Sequence, residues 1–376
     1  MGTCDRWQVD PIAHTFTGAA LAATGLRRAT PLATAALVIG ANAPDIDVLA
    51  SFSGSYAALA LRRGWTHGVL AIVVLPFVVT GLLLLWDRMR SRRAERAPAR
   101  AGPLLALAAL AVLTHPTLDW LNNYGMRWLM PFDGRWSYGD ALFIVDPWIW
   151  LALGGVLFLG SSRSAWTGAL WAVFGLLATW LLFRAPFVPA PARALWIAGV
   201  VAFAVARIFR PELARSPTAE GLARVALGCV IVYMAAAVVA TAVARRQVRN
   251  ALADRGLGPV TSVMVGPAPA NPFAGTVVVA TPDAYHLGEW RWFAEPRLQL
   301  RPQPLERRAD SPIVAAASRT PSARDYLTWS RYPYFEIETR DDGYLVRVRD
   351  ARYHGLGGLE GPDVQLDGQL EPLAAQ

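Results

Sequence analysis

Residues 69–86 read VLAIVVLPFVVTGLLLLW, an apolar run that ends at Asp87. A bilayer core of about 30 Å needs about 20 apolar residues in a helix, so this run predicts a transmembrane helix. Further apolar segments follow the same pattern, and two of them (11–26 and 194–209) are short enough to be partial spans. The other segments are 31–49, 103–120, 141–160, 165–183 and 224–244. The first 250 residues are therefore predicted to form an all-α polytopic membrane helical bundle.

The composition of the 376-residue chain supports this prediction. Hydrophobic residues make up 54% of the chain and charged residues only 17%, which argues against an ordinary water-soluble domain. The formal net charge is +8, but all 36 basic residues are arginines and many of them fall in loops between apolar segments, so no nucleic-acid partner is predicted. Two cysteines, Cys4 and Cys229, are too few for a disulfide framework or an all-thiolate metal site.

The densest basic loop follows the run at 69–86 and predicts the orientation of the chain. It contains Arg88, Arg90, Arg92, Arg93, Arg96 and Arg100. Cytoplasmic loops of membrane proteins carry an excess of basic residues, so this loop is expected on the cytoplasmic side. By alternation, Thr66 and Asp119 are then expected at the outer face.

The sequence changes character after about residue 258. Short β-like runs at 261–265, 276–280, 285–293, 334–340 and 344–349 predict a small β-rich C-terminal soluble domain. Asp341-Asp342-Gly343 is typical of a hairpin turn, and a short helix is expected over 323–329. The predicted organisation is a helical domain with the site at 1–160, additional transmembrane helices at 161–250, the β-rich domain at 258–354 and a loose tail at 355–376.

Ionisable side chains inside or at the edges of the apolar segments form the candidate site. Such residues are costly in a membrane and usually functional. In the expected orientation they all lie on the outer side: His14, Asp45, Asp47, His67, His115, Asp119 and Asp146.

These residue types are typical metal ligands. Imidazole nitrogens and carboxylate oxygens suit zinc and related divalent ions, and His115 and Asp119 project from one helix face because they lie four residues apart. The expected ligands of one or two ions are His14, Asp45, Asp47, His67, His115 and Asp119. Asp45, Asp119 and Asp146 are the candidate catalytic carboxylates, with Asp146 as either a ligand or a residue that orients a histidine. A metal-bound water is a strong nucleophile at neutral pH.

Polar residues after Asp119 are candidate substrate contacts. Asn123, Arg127 and Arg135 lie in a segment rich in tryptophan, which is typical of a membrane interface. The two arginines are predicted either to bind a substrate phosphate or to act as ordinary headgroup anchors.

The motifs of residues 14–147 together resemble the YdjM-like family of inner-membrane-bound metal-dependent hydrolases. The matching pieces are His14 with Gly18, Pro44-Asp45-Ile46-Asp47, Arg63-Gly64-Trp65-Thr66-His67, Thr114-His115 to Asp119, Asn123-Tyr124-Gly125, and Asp140 with Ile144-Val145-Asp146-Pro147. More distantly, the order of His and Asp residues is similar to the zinc-dependent phospholipase C and single-strand nuclease superfamily, which implies a phosphoesterase. The resemblance implies a multi-pass protein of the bacterial inner (cytoplasmic) membrane.

The expected function is hydrolysis of a phosphoester or another ester in a lipid or envelope molecule, with a divalent ion, zinc by preference, as cofactor. The expected partners are the lipid bilayer and a lipid-anchored substrate. Two alternatives remain open at this point. Buried His and Asp residues also serve ion or proton transport, and a metal can hold helices together in a non-catalytic scaffold.

Overall fold

The computed structural model describes residues 10–91, 97–215, 218–253, 257, 259–355 and 360–373. Cys4 and, in the basic loop, Arg92, Arg93 and Arg96 lie outside the described residues. The helices of the N-terminal part are α1 (Pro11–Ala23), α2 (Ala33–Asn42), α3 (Ser55–Leu61), α4 (Val69–Ser91), α5 (Ala101–Trp120), α6 (Pro147–Ser161), α7 (Ala165–Arg184), α8 (Ala190–Phe209) and α9 (Thr218–Ala253). A 3-10 segment, Ala43–Ser53, continues α2.

Within the described residues, six helical stretches are long and apolar enough to cross a membrane. They are Ala33–Ser53, Val69–Arg90, Ala101–Trp120, Ala165–Arg184, Ala190–Phe209 and Thr218–Ala253. The predicted fold class, a helical membrane bundle followed by a β-rich C-terminal region, is confirmed.

Several of the eight apolar segments differ in length from the helices that form, most of all 224–244, which lies within the 36-residue α9. Helix α1 has 13 residues and α6 has 15, and both are shorter than the roughly 20 residues that a 30 Å bilayer core requires. Helix α6 is short because Asp146 and Pro147 begin it, which leaves the preceding residues of the segment outside the helix. In contrast, α8 has 20 residues because it begins at Ala190, before the segment predicted at 194–209.

Small residues let α1, α2 and α5 approach closely. A Cβ atom at Gly18 of α1 would lie 2.5 Å from the carbonyl oxygen of Leu37 in α2. A Cβ atom at Gly40 of α2 would lie 3.0 Å from Ala111 of α5. Such close helix approach is typical of membrane proteins. It brings His14, one turn before Gly18, and His115, one turn after Ala111, into the same region.

Two antiparallel sheets form the C-terminal region. The first contains β1 (Ser262–Ala268), β2 (Asn271–Ala280), β3 (Ala284–Arg291) and β4 (Leu298–Leu300) in that order, with β5 (Leu305–Glu306) also pairing with β3. The second has the order β6 (Pro333–Arg340), β7 (Gly343–Asp350) and β8 (Asp363–Asp367). Helices α10 (Pro312–Ala317) and α11 (Pro321–Trp329) lie between the sheets in sequence.

The predicted hairpin at 341–343 is present, because Arg340 pairs with Gly343 across the turn. The prediction of a loose tail over 355–376 is wrong for residues 363–367, which form β8 against β7. Val364 and Leu366 alternate with exposed residues along β8 and are buried in the core, and this burial stabilises the strand.

The C-terminal region shares a core with the helical part. Leu59 of α3 and Tyr124, which follows α5, belong to the same buried cluster as Tyr326 and Trp329 of α11. The indole N–H of Trp136 donates to the carbonyl of Thr328 at 2.8 Å. The β-rich region therefore packs against the end of α5 that carries Asp119.

Candidate metal centre

The three histidines come from separate elements and are all buried. Asp10 caps α1 by accepting from the backbone N–H of Ala13 at 3.0 Å, and Pro11 begins the helix, so His14 lies on its first turn. His67 lies in the turn between α3 and α4, and His115 lies near the end of α5. Relative exposure is 2% for His14 and 0% for both His67 and His115.

Three Nε2 atoms converge with two carboxylates on one point. The Nε2 atom of His67 lies 3.1 Å from Nε2 of His115 and 3.2 Å from Oδ2 of Asp119. Oδ1 of Asp45 lies 3.6 Å from His115 Nε2 and 4.0 Å from His67 Nε2. His14 completes the cluster, with its Nε2 3.5 Å from Asp119 Oδ1 and its ring stacked on His115 at 3.7 Å.

These separations fit the coordination of a small divalent ion. Ligands about 2.0 Å from a tetrahedral zinc lie about 3.3 Å from each other. Among the described residues, two overlapping groups of ligand atoms lie within 4.8 Å of one another: His14, Asp45 and His115, and His67, His115 and Asp119. Because His115 belongs to both groups, the geometry favours one compact centre.

The hydrogen bonds of the two central histidines fix which nitrogen faces the centre. Nδ1 of His115 lies 2.6 Å from the carbonyl oxygen of Ala41, which can only accept, so Nδ1 carries the proton. The Thr66 hydroxyl donates to Asp47 at 3.0 Å and therefore accepts from Nδ1 of His67 at 2.9 Å. When both rings are neutral, their Nε2 atoms are therefore lone-pair acceptors, only 3.1 Å apart.

This arrangement leaves buried acceptors without donors. Two facing lone pairs repel each other, and Asp119 Oδ2, which lies beside them, has no hydrogen-bond partner within the described part of the chain. A buried polar atom without a partner is costly. A cation at this point would satisfy both nitrogens and the carboxylate, so the residues fit a metal ion.

Asp47 has a different position from the one predicted. Its Oδ2 accepts from the backbone N–H of Arg63 at 2.9 Å and from Thr66, and it lies 3.3 Å from Nδ1 of His67. Since it contacts the outward-facing nitrogen of His67, Asp47 orients that ring and is not in either ligand group. Carboxylates commonly hold metal-binding histidines in this way.

Two arginines that the sequence reasoning did not select surround the carboxylates. Nη2 of Arg63 lies 3.0 Å from Asp119 Oδ1, and its Nη1 donates to Asn122 at 2.9 Å. Arg62 lies 3.5 Å from Asp47 and 3.9 Å from Asp45. The available signal was the pair of adjacent arginines directly before Gly64-Trp65-Thr66-His67.

Asp146 is placed outside this cluster. Its Oδ1 accepts from the backbone N–H groups of Trp148 and Ile149 at the start of α6, and its Oδ2 accepts from the Tyr233 hydroxyl at 2.8 Å. One carboxylate oxygen of Asp146 thus caps α6, and the other accepts a hydrogen bond from a hydroxyl group. Asp-Pro at a helix start also occurs as a simple cap. The sequence alone does not distinguish such a cap from a metal ligand or a catalytic carboxylate.

The predicted substrate contacts have structural partners. Arg127 is buried and donates to the carbonyls of Ala60 and Leu61 at the end of α3. Arg135 is exposed and pairs with Asp133 at 2.6 Å. Asn123 is buried, and its backbone carbonyl accepts from Arg352 at 2.8 Å, whereas its side-chain Oδ1 accepts no hydrogen bond from a described residue.

Tyr124 connects the centre to the C-terminal region. The Arg63 guanidinium lies 4.4 Å from the centre of its ring. Burial raises the pKa of the Tyr124 hydroxyl to about 12, which keeps this group neutral beside the two arginines. Arg352 of the C-terminal region also contacts the Tyr124 backbone, so the region packs directly behind Arg63.

The fold and the site thus define a multi-pass membrane protein with a buried cluster of histidines and aspartates. Residues 9–188 match the model of the YdjM inner membrane protein family, so this part of the chain is similar to that family. This confirms the resemblance found in the sequence.

A curated relative covers a smaller part of the chain. Over 117 residues the chain is 26% identical to the uncharacterized protein YfhP of Bacillus subtilis (strain 168). That alignment covers 31% of this chain and 33% of the relative, so the match spans about a third of each protein. No solved structure matches the chain.

Proposed function

We propose that this protein is a membrane-bound metal-dependent hydrolase with one divalent ion, zinc by preference, held by His67, His115 and Asp119, which leaves a fourth position for water. The observation that carries the proposal is the pair of Nε2 lone pairs 3.1 Å apart, with Nδ1 of each ring occupied by a hydrogen bond. His14 stacks on His115, and its Nε2 lies 3.5 Å from Asp119, so it helps to hold these two ligands in place.

The charges of the cluster support binding of a divalent cation. Three carboxylates, those of Asp45, Asp47 and Asp119, face two guanidinium groups, those of Arg62 and Arg63. With neutral histidines, the cluster therefore carries one more negative than positive charge. A divalent cation would more than neutralise this excess. When bound, such an ion lowers the pKa of a coordinated water and polarises an ester oxygen.

Asp45 has the properties of a proton acceptor in hydrolysis. Its side chain is 14% exposed, against 4% for Asp119, and its Oδ2 has no partner within the described residues. Asp119 is held by Arg63 at 3.0 Å and serves as a fixed anionic ligand. Asp45 therefore accepts the proton of the attacking water, while Asp119 stays ionised.

The surroundings of Asp45 support a lipid-anchored substrate. The residues after it form an exposed apolar surface on the 3-10 segment: Ile46, Val48, Leu49 and Phe52 are 56%, 47%, 56% and 90% exposed. An exposed apolar patch of this kind marks contact with lipid or another partner. A substrate that enters from the bilayer meets this surface first.

The outer face is the proposed side of the centre. Arg88, Arg90 and Arg100 lie at the ends of α4 and α5 away from His67 and Asp119. Because basic residues favour the cytoplasmic side, this arrangement supports a metal centre at the opposite surface.

The proposal is tested with purified full-length protein in lipid nanodiscs. Zinc-loaded and chelator-treated samples are assayed against lipid phosphodiesters and generic aryl esters, with Asp119→Ala as the blank and Asp133→Asn as a control at an aspartate outside the cluster. We expect hydrolysis of one substrate class that disappears on chelation and in Asp119→Ala, and returns when zinc is added to the wild type. Full zinc occupancy without hydrolysis of any substrate would contradict the enzymatic proposal.

A non-catalytic metal scaffold is the second candidate, and the complete burial of His67 and His115 favours it. A structural zinc ion has four protein ligands and no exchangeable water. In the assay above, the scaffold predicts bound zinc, no hydrolysis, and a lower unfolding temperature after chelation.

A further inference from the structure

A cavity of about 410 Å³ lies between α9 and the first β-sheet. Its volume is within the range of typical ligand pockets. Helix α9 and the sheet both contribute to its walls, and representative lining residues are Tyr233, Ala237, Ala240, Ala244, Val265 and Trp290.

The position of the cavity along α9 places it at the edge of the bilayer. Helix α9 has 36 residues, and a helix rises about 1.5 Å per residue. Glu220 near its start pairs with Arg28 at the basic end of the bundle. Tyr233 and Ala244 therefore lie about 20 and 36 Å from Glu220 along the helix axis. A hydrocarbon core of about 30 Å that begins near Glu220 would end between these two residues.

The cavity opens through aromatic residues. Phe273 and Phe293 line it, lie 5.3 Å apart, and are 56% and 85% exposed. The neighbouring Ala270 packs against Val188 and Ala192, at the junction of the spans α7 and α8. The opening thus lies at the level where the spans end.

The polar groups in the cavity wall are few, and one of them lacks a partner. Trp290 is 3% exposed, and its indole N–H makes no hydrogen bond to any described residue. The Asp146 carboxylate also lines the cavity, but both its oxygens already accept hydrogen bonds. The cavity therefore offers a mostly apolar wall, the unpartnered indole N–H of Trp290 and the nearby Asp146 carboxylate.

We propose that this cavity binds one acyl chain of a membrane glycerolipid, with the ester carbonyl accepting a hydrogen bond from the indole N–H of Trp290. A phospholipid acyl chain matches the apolar wall and is available at this depth of the bilayer. A free fatty acid is disfavoured because its carboxylate would lie near Asp146. The inference is independent of hydrolysis at the metal centre.

The test uses the full-length protein in nanodiscs that contain phosphatidylcholine with a photoactivatable diazirine in one acyl chain. Crosslinked peptides are identified by mass spectrometry. Ala240→Trp fills the cavity, and Ala235→Trp is the matched control because Ala235 is exposed on the same helix and does not line the cavity. We expect crosslinks at lining residues in the wild type and in Ala235→Trp, and a loss of at least several-fold in Ala240→Trp.

Three outcomes would overturn the proposal. The first is labelling of the lining residues that is unchanged in Ala240→Trp. The second is labelling of these residues in the wild type that is no stronger than labelling of the lipid-facing surfaces of α7 and α8. The third is displacement of the label by palmitic acid at concentrations where ordinary phosphatidylcholine has no effect, which would identify a free fatty acid as the ligand.

The hydrogen bond has its own readout. An ether-linked diazirine lipid lacks the ester carbonyl, so the wild type should label more strongly with the ester lipid than with the ether lipid. Trp290→Phe keeps an aromatic ring and removes the N–H, and should abolish this preference. Equal labelling by both lipids in the wild type would refute the role of Trp290.

Discussion

Nδ1 of His67 lies 3.3 Å from Oδ2 of Asp47, while Nε2 of the same ring faces His115 at 3.1 Å. One nitrogen is thus held from outside and the other is directed to the centre. The same division holds for His115, whose Nδ1 donates to the carbonyl of Ala41. The two rings are oriented before any ion binds.

Asp47→Ala should weaken metal binding without removing a ligand. Loss of a residue that orients a metal-binding histidine costs about 10- to 100-fold in affinity. Zinc affinity, measured by competition with a chelator, should therefore fall by that factor, and Asp119→Ala should lose the ion altogether. Asp133→Asn is the control. Unchanged zinc affinity in Asp47→Ala would contradict the orienting role of Asp47, and complete loss of the ion would contradict its position outside the ligand set.

Asp146→Ala should change stability but not metal content. The Asp146 side chain caps α6, and loss of such a cap costs about 0.5–2 kcal/mol. Metal analysis of the folded variant should give the wild-type zinc content, and thermal unfolding should occur at a lower temperature. A folded Asp146→Ala protein without zinc would return Asp146 to the ligand set.

Arg352→Ala should destabilise the C-terminal region strongly. Arg352 pairs with Asp350 at 2.9 Å, with both side chains fully buried, and it donates to the carbonyl of Asn123. Removing one partner of a buried ion pair costs about 3–5 kcal/mol because the other charge stays buried. Arg340→Ala, in an exposed pair with Glu338, is the matched control and should have little effect on the unfolding midpoint. Equal midpoints for the two variants would be inconsistent with this difference in burial.

The same ion pair predicts a pH dependence of stability. Burial by itself raises the pKa of the Asp350 carboxyl, but the charge and hydrogen bonds of Arg352 more than offset this and hold the pKa below its ordinary value of 3.8. A carboxyl with a lowered pKa in the folded state stabilises the fold above its unfolded pKa, and this contribution is lost as pH falls through the folded pKa.

The measurement compares the wild type with Asp350→Asn in detergent between pH 3 and pH 7. The wild type should unfold at a higher temperature near neutral pH, and the difference should shrink below about pH 3.8 as Asp350 becomes protonated. A constant difference across this range would show that the charge of Asp350 does not stabilise the fold.

Much of the fold was predictable because its signals are local. The apolar run at 69–86 corresponds to most of α4, and the alternating strands after residue 258 correspond to β1, β2, β3, β6 and β7. Hydrophobic periodicity and turn residues act over a few neighbours, so a single sequence contains them. The short strands β4 and β5 gave no such signal, and β8 was missed because its five residues lie among Gly and Pro.

The sequence by itself determined the residue types of the site and the pairing of His115 with Asp119, because four residues make about one helical turn. Only the tertiary structure decided that Asp45 faces the centre while Asp47 contacts the back of His67. It also decided that Arg63 forms an ion pair with Asp119 and that Asp146 contacts Tyr233 away from the cluster. These roles depend on how the 3-10 segment and the turn before α4 pack against the end of α5, and contacts between residues distant in the chain are not encoded in local periodicity.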